Sequence, residues 1–174
     1  MKIGFIGLGI MGTPMASHLV AAGHELYVHT RSKVPEAIAS SPARACASAA
    51  EVAGHAEVIF TMVPDTPDVE RVLFGENGVA AGLKASASGP RKTGVDMSSI
   101  SPMATKKFAA RIAELGADYV DAPVSGGEVG AKAASLTIMC GGDPAVFERI
   151  KPLLEKMGKN ITLVGGVGDG QTTK

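Results

Sequence analysis

Tryptophan is absent from the 174 residues, whereas glycine occurs 22 times and alanine is frequent. That balance suits close helix–sheet packing and ligand sites lined by backbone. No charge of one sign prevails: 17 basic and 17 acidic residues give a formal net charge of zero, with no charge block. The electrostatic footprint of a nucleic-acid or membrane-surface partner is therefore missing. No apolar run is long enough to span a bilayer, and the N-terminus enters a strand pattern directly, without a signal-peptide layout. The only cysteines, Cys46 and Cys140, stand far apart without metal spacing. They read as buried thiols in a reducing cytosol, which points to a cytoplasmic protein. The histidines His18, His24, His29 and His55 also lack ligand spacing, so no metal is assigned; His18 and His24 flank a helix and its loop and read as surface residues. There is no internal repeat of solenoid length. The chain is long enough for one good core, or for a domain and a fragment.

What is present is concentrated near the start. The apolar run Ile3 to Ile6 leads into Gly7-Leu8-Gly9-Ile10-Met11-Gly12, a G-x-G-x-x-G turn. A helical pattern follows, with Met11, Met15 and Leu19 recurring on one face. Gly7 permits the tight turn, Gly9 lets backbone approach a pyrophosphate, and Gly12 lets helix and strand pack closely. The helix then aims free N–H groups and the positive end of its dipole at that pyrophosphate. A glycine-rich turn alone is weak evidence. Here the strand before it and the helix after it are both readable, which is the context the motif needs.

Gly23 stops the first helix, and Glu25 to His29 reads as the second strand. An acid at the tip of that strand would hold an adenosine ribose 2′-hydroxyl and favour NAD, whereas an arginine would accommodate a 2′-phosphate. The tip reads Thr30-Arg31-Ser32-Lys33 and has no acid. Thr30, Arg31 and Ser32 are therefore cofactor candidates and NADP is favoured over NAD; the competing reading makes Arg31 and Lys33 ordinary solvated loop charges.

Residues 34–54 are Ala- and Ser-rich, broken by Pro35 and Pro42, and read as short helices. Glu57 to Val63 reads as a third strand whose carboxyl end sets Met62, Val63 and Pro64 against the cofactor. Asp68 to Leu73 reads as a short helix, and residues 84–93 as a mobile surface loop. Gly94 to Met97 is a fourth strand, closed by Ser98 and Ser99. Ser101 is an N-cap, with Pro102 opening a helix through Phe108 and Ile112. Strands at Asp118–Ala122, Leu136–Cys140 and Ile161–Val164 complete the pattern, with a helix through Val146 and Ile150 between the last two. Strands alternating with helices indicate an α/β protein with a Rossmann-type, doubly wound, mostly parallel sheet.

Taken together, Phe5 to Ala16, Asp121 to Gly127 and Gly168 to Lys174 resemble three signatures of the β-hydroxyacid dehydrogenases, the 3-hydroxyisobutyrate dehydrogenase family. The similarity covers the whole chain. Met62 to Gly78, Asp96 to Pro102, Asp121 to Glu128 and Lys159 to Gln171 are most like the branch that reduces tartronate semialdehyde to glycerate. Reduction of another semialdehyde, giving 3-hydroxyisobutyrate or acting on succinic semialdehyde, is the alternative within the class. A nucleotide-binding module without turnover is the alternative outside it.

The resemblance implies that Lys174 is the general acid–base and that Ser125, Gly126 and Gly127 bind the substrate carboxylate. It further implies that Ser99 meets the nicotinamide end and that Val63 and Pro64 line the cofactor. Without it, Lys174 is a solvated lysine and Ser125-Gly126-Gly127 a plain turn. A positioned ammonium can stabilise the oxyanion that forms as hydride reaches an aldehyde, and can supply its proton. Backbone N–H groups of a Ser-Gly-Gly turn can cradle a carboxylate. On this pattern residues 1–164 form the NAD(P)-binding domain and residues 165–174 begin an interdomain helix. Family members continue past the lysine with an asparagine one turn on, then an all-helical domain that closes the site and forms a dimer. This chain is expected to be the cofactor domain alone, from an enzyme that is a homo-oligomer when intact. The stretch between Leu83 and Asp96 is slightly longer than the family pattern.

Overall fold

The apolar run at the start of the chain becomes the middle of a sheet. In a computed structural model describing residues 1–174, β1 (Lys2–Ile6) lies between β2 (Glu25–His29) and β4 (Val58–Thr61), parallel to both. Beyond β2 lies the two-residue β3 (Arg44–Ala45); beyond β4 lie β5 (Thr93–Asp96) and β6 (Asp118–Asp121), all parallel. The order then continues through β8 (Leu136–Gly141), which runs antiparallel to β6 and to the short β7 (Val124–Ser125) and carries β9 (Gly158–Gly165) parallel to itself. The run β3-β2-β1-β4-β5-β6 is doubly wound, and its order reverses between β1 and β4. A crevice outside the carboxyl ends of the strands opens at such a switch point.

Alternation along β1 separates two cores. Ile3 and Phe5 point to the face covered by α1 (Gly12–Ala21) and α8 (Pro144–Leu154), where Met15, Leu19, Phe147 and Ile150 are buried with them. Ile6 points to the other face, covered by α3 (Ala49–His55), α4 (Thr66–Phe74), α5 (Val79–Ala85) and α6 (Pro102–Glu114). On that face Gly4 lets α3 come close: a side chain there would collide with Val52. Complete burial of Phe5, Phe60, Ile3 and Leu19 contributes about 1.5–3 kcal/mol each. Side-chain caps fix the starts of α4 and α6, the one at Ser101 as the sequence suggests. The Ser101 hydroxyl accepts from the Ala104 amide ahead of Pro102, and Asp65 and Asp68 form a capping box at α4.

Residues 34–54 hold the expected short helices, α2 (Glu36–Ala39) and α3, with the edge strand β3 between them. Three readings change. The stretch 84–93 is not one surface loop: Lys84 and Ala85 end α5, and Thr93 begins β5. Lys92, only 8% exposed, donates to the Ala53 and Gly54 carbonyls at the end of α3. Only Ser86–Lys92 lies outside helix and strand. The Gly126-Gly127 turn opens a helix, α7 (Gly127–Ala133). Finally, His18 and His24 are half-buried, and the His18 ring bonds the Ala131 carbonyl of α7 at 2.8 Å.

Candidate functional site

The switch point holds a groove of about 850 Å³, within the range of small-molecule and cofactor sites. In the order of the strands it is lined by Thr30, Arg31 and Ser32 after β2, Gly7 to Gly12 after β1, Met62, Val63 and Pro64 after β4, and Ser99 after β5. Three strand ends converge to make it, because β1, β2 and β4 run parallel and side by side.

The glycines divide the work among them. Gly7 sits at φ +102°, and a side chain there would strike the Met62 carbonyl. One at Gly12 would strike the Gly7 carbonyl. Gly9 differs: a Cβ would meet nothing within 4 Å, so its absence leaves open space in the groove instead of relieving a clash. The amides of Gly9, Ile10, Met11 and Gly12 make no hydrogen bond within the chain, so all four are available at the N-terminus of α1. Space at Gly9, unpaired donors and the helix dipole together fit a pyrophosphate. The Leu8 amide, by contrast, is spent on the Thr30 hydroxyl, 3.4 Å away, which ties the loop to the tip of β2.

At that tip Arg31 is exposed and does not stand alone. Asp68 and Arg71, from α4, line the same groove. The Asp68 Oδ1 atom accepts from Arg71 Nη1 at 3.2 Å and lies 3.8 Å from Arg31 Nη1. An acid is therefore present after all, delivered by helix α4 and not by the tip of β2 that sequence spacing indicates.

The other end is built by a hydrogen-bonded brace. The buried Asp121 carboxylate accepts from the Gly168 amide at 2.8 Å and the Gln171 amide at 3.0 Å, which fixes the start of α9 (Asp169–Thr173). Burial raises the Asp121 pKa, although these amides favour its charged form. The Gln171 side chain donates to the Ser98 carbonyl at 2.7 Å and accepts from the Ile100 amide at 3.0 Å. It grips the backbone on both sides of Ser99. Lys174 Nζ then donates to Ser99 Oγ at 2.7 Å. From below, Asp96 holds the same loop: Oδ1 accepts from the Ser98 amide and the Thr61 hydroxyl, and the Ser98 hydroxyl accepts from the Val63 amide. Complete burial pushes Asp96 up to about 6. Ser125, Gly126 and Gly127 do not line the groove. Ser125 is exposed at the end of β7, and Gly126 and Gly127, at φ +135° and +61°, open α7.

Residues 2–166 match the model of the NAD binding domain of 6-phosphogluconate dehydrogenase. The chain is 62% identical to 2-hydroxy-3-oxopropionate reductase of Escherichia coli over all 174 residues, which are 58% of that relative. It is 34% identical to the solved 3-hydroxyisobutyrate dehydrogenase of Mycobacterium tuberculosis bound to L-serine, with a TM-score of 0.85 over 99% of this chain and 57% of that one. The chain belongs to the 3-hydroxyisobutyrate dehydrogenase family, as its NAD-binding domain. A second solved structure, Psf3 in complex with NADP+ and 2-OPP, is 31% identical with a TM-score of 0.87, covering 98% of this chain and 59% of its own. The chain spans between one half and three fifths of the length of these relatives. No helix is long and apolar enough to cross a membrane.

The matched family model is that of an NAD-binding domain, and the Lys174–Ser99 contact falls at one end of the groove. Sequence reasoning missed Asp68, Arg71, Asp121 and Gln171 as parts of the site. Asp121 and Gln171 lie inside signature stretches, where a buried acid ending a strand and an amide within a glycine-rich turn were the available signals. Nothing local marks Asp68 or Arg71, which reach the groove only because β4 lies beside β1.

Proposed function

We propose that this chain is the cofactor-binding part of an NAD(P)H-dependent reductase of tartronate semialdehyde (2-hydroxy-3-oxopropionate), giving glycerate, with NADP the favoured cofactor. One observation carries the reading: Lys174 Nζ is held on Ser99 Oγ at the end of the groove. The similarity to 2-hydroxy-3-oxopropionate reductase supports the choice of substrate. The bound dinucleotide would supply the hydride. The free amides of Gly9 to Gly12 bind its pyrophosphate, and Met62, Val63 and Pro64 pack along it. Lys174 donates the proton to the aldehyde oxygen as negative charge develops there, and until then its ammonium is oriented by Ser99. The amides of Ser125, Gly126 and Gly127, which lie outside the lining of the groove, would hold the substrate carboxylate. Residues 1–164 are the binding domain and 165–174 the start of an interdomain helix, and the intact enzyme is a cytoplasmic homo-oligomer.

The test is turnover at saturating NADPH, for the chain alone and for the chain continued by the family's helical domain, with tartronate, methylmalonate and succinic semialdehydes. The reading expects tartronate semialdehyde to give the highest kcat/KM in the extended protein, Lys174→Ala to abolish most turnover without weakening NADPH binding, and the chain alone to bind NADPH but turn over very slowly. Preference for another semialdehyde would reassign the substrate, and wild-type turnover in Lys174→Ala would remove Lys174 from the mechanism.

A further inference from the structure

The end of the groove at the tip of β2 carries three charges on one small patch. Arg31 and Arg71 reach the same oxygen of Asp68, so the two guanidinium groups lie side by side. Asp68 is the fixed member. Its other oxygen accepts from the Asp65 amide at 3.1 Å in the capping box of α4, and its side chain is 22% exposed against 79% for Arg31 and 61% for Arg71. All three residues line the groove.

Their geometry sets a charge balance. Asp68 offers one oxygen to two cations. Arg71, at 3.2 Å and one helical turn away, makes the closer pair; Arg31, at 3.8 Å, makes the looser one. Arg71 thus neutralises the acid, leaving Arg31 free to turn to another anion. If Arg71 were absent, Asp68 would draw Arg31 to itself, and the patch would pass from one net positive charge to none. With Arg31 held on Oδ1, no guanidinium would be left free for a phosphate, while the remaining lone pairs of the carboxylate could still accept from a ribose hydroxyl.

We propose that Arg71 and Asp68 set the preference between NADP and NAD. In this arrangement Arg71 screens the acid so that Arg31, and Arg71 itself, face a 2′-phosphate. This rests on the dinucleotide reading of the groove and names two determinants in addition to Arg31. It assigns opposite signs to two neighbouring substitutions, which a simple loss of structure would not produce.

The experiment is calorimetric titration of the 174-residue chain with NADPH, NADH, 2′,5′-ADP and 5′-AMP, the last two isolating the adenosine end. Arg71→Ala is expected to weaken NADPH and 2′,5′-ADP about tenfold, as for loss of a charge-assisted phosphate contact, and to leave NADH and 5′-AMP within about twofold. Arg71→Lys retains the charge and keeps the NADPH/NADH affinity ratio within about threefold of the parent. Asp68→Asn keeps a capping acceptor while removing the negative charge, and is expected to raise that ratio by about threefold or more. Equal weakening of NADPH and NADH by Arg71→Ala would make Arg71 a support for the adenine ring and overturn the proposal. A fall in the ratio for both Arg71→Ala and Asp68→Asn, or no change in either, would overturn it too. Arg31→Asp separates the two levels. If it alone moves the ratio, the NADP reading stands and the roles of Arg71 and Asp68 fall. If the parent binds none of the four ligands, the dinucleotide reading itself fails.

Discussion

Replacing Gln171 by methionine removes the grip on Ser99 while keeping the length and bulk of the side chain. Gln171 is 7% exposed, and its amide is fully engaged, with the Ser98 carbonyl at 2.7 Å and the Ile100 amide at 3.0 Å. Both partners belong to buried residues, so the Gln171→Met variant would leave one acceptor and one donor without a hydrogen bond. An unsatisfied buried polar group costs about 1–3 kcal/mol, which places the pair at about 2–6 kcal/mol. For a domain of this size that is a fall in Tm of roughly 4–24 °C. Thermal and urea denaturation of parent and variant give the number directly. Gln171→Glu supplies an internal control. An ionised glutamate can accept from Ile100 but opposes the Ser98 carbonyl, whereas a protonated one can satisfy both. Its folded-state pKa is therefore raised, and its stability should approach the parent's at low pH and be lost as pH rises through that pKa. A Gln171→Met protein within about 0.5 kcal/mol of the parent would refute the brace as a structural element.

Other outcomes follow from the same structure. Asp96 titrates near 3.8 when free and at about 6 when buried, so only the folded protein holds its proton between those values. Stability from this group is complete below about 4 and falls as pH rises, by about 3 kcal/mol in total; Asp96→Asn should flatten the pH 4–6 stability profile. Asp121→Ala should free α9 and speed hydrogen exchange of the Gly168 and Gln171 amides, with core strand β4 unchanged in protection. Gly12→Ala should lower Tm sharply, because its methyl would strike the Gly7 carbonyl, whereas Gly9→Ala should melt as the parent does.

The start of the chain was legible because its signals are local. Strand, turn and helix follow one another from Ile3 to Leu19, and each glycine there has a reason readable from its position. Strand 118–121 and the Ser101–Pro102 helix start were legible for the same reason. Helix α5 was not, since Val79–Ala85 is short and carries only two buried large residues, Val79 and Leu83. The stretch after it looked like a solvated loop because Lys92 and Thr93 are polar. Lys92 is buried only because α3 presents the Ala53 and Gly54 carbonyls to it. Helix α7 was hidden by the glycines that start it. At the site, the β1 loop, the β2 tip and the β4 end could be foreseen to converge. The charge partner of Arg31 could not, because Asp68 is 37 positions away in sequence and approaches only through strand pairing.

The NADPH affinity of Gly9→Val tests the placement of the dinucleotide most directly. The backbone at Gly9 is not in the left-handed region, and a Cβ there meets nothing within 4 Å, so the fold should tolerate the branched side chain. The open space it fills is the space assigned to the pyrophosphate. Calorimetry at matched Tm should find NADPH bound by the parent and weakened by more than about tenfold in Gly9→Val. Equal affinity in the two proteins would contradict the placement of the dinucleotide in this groove.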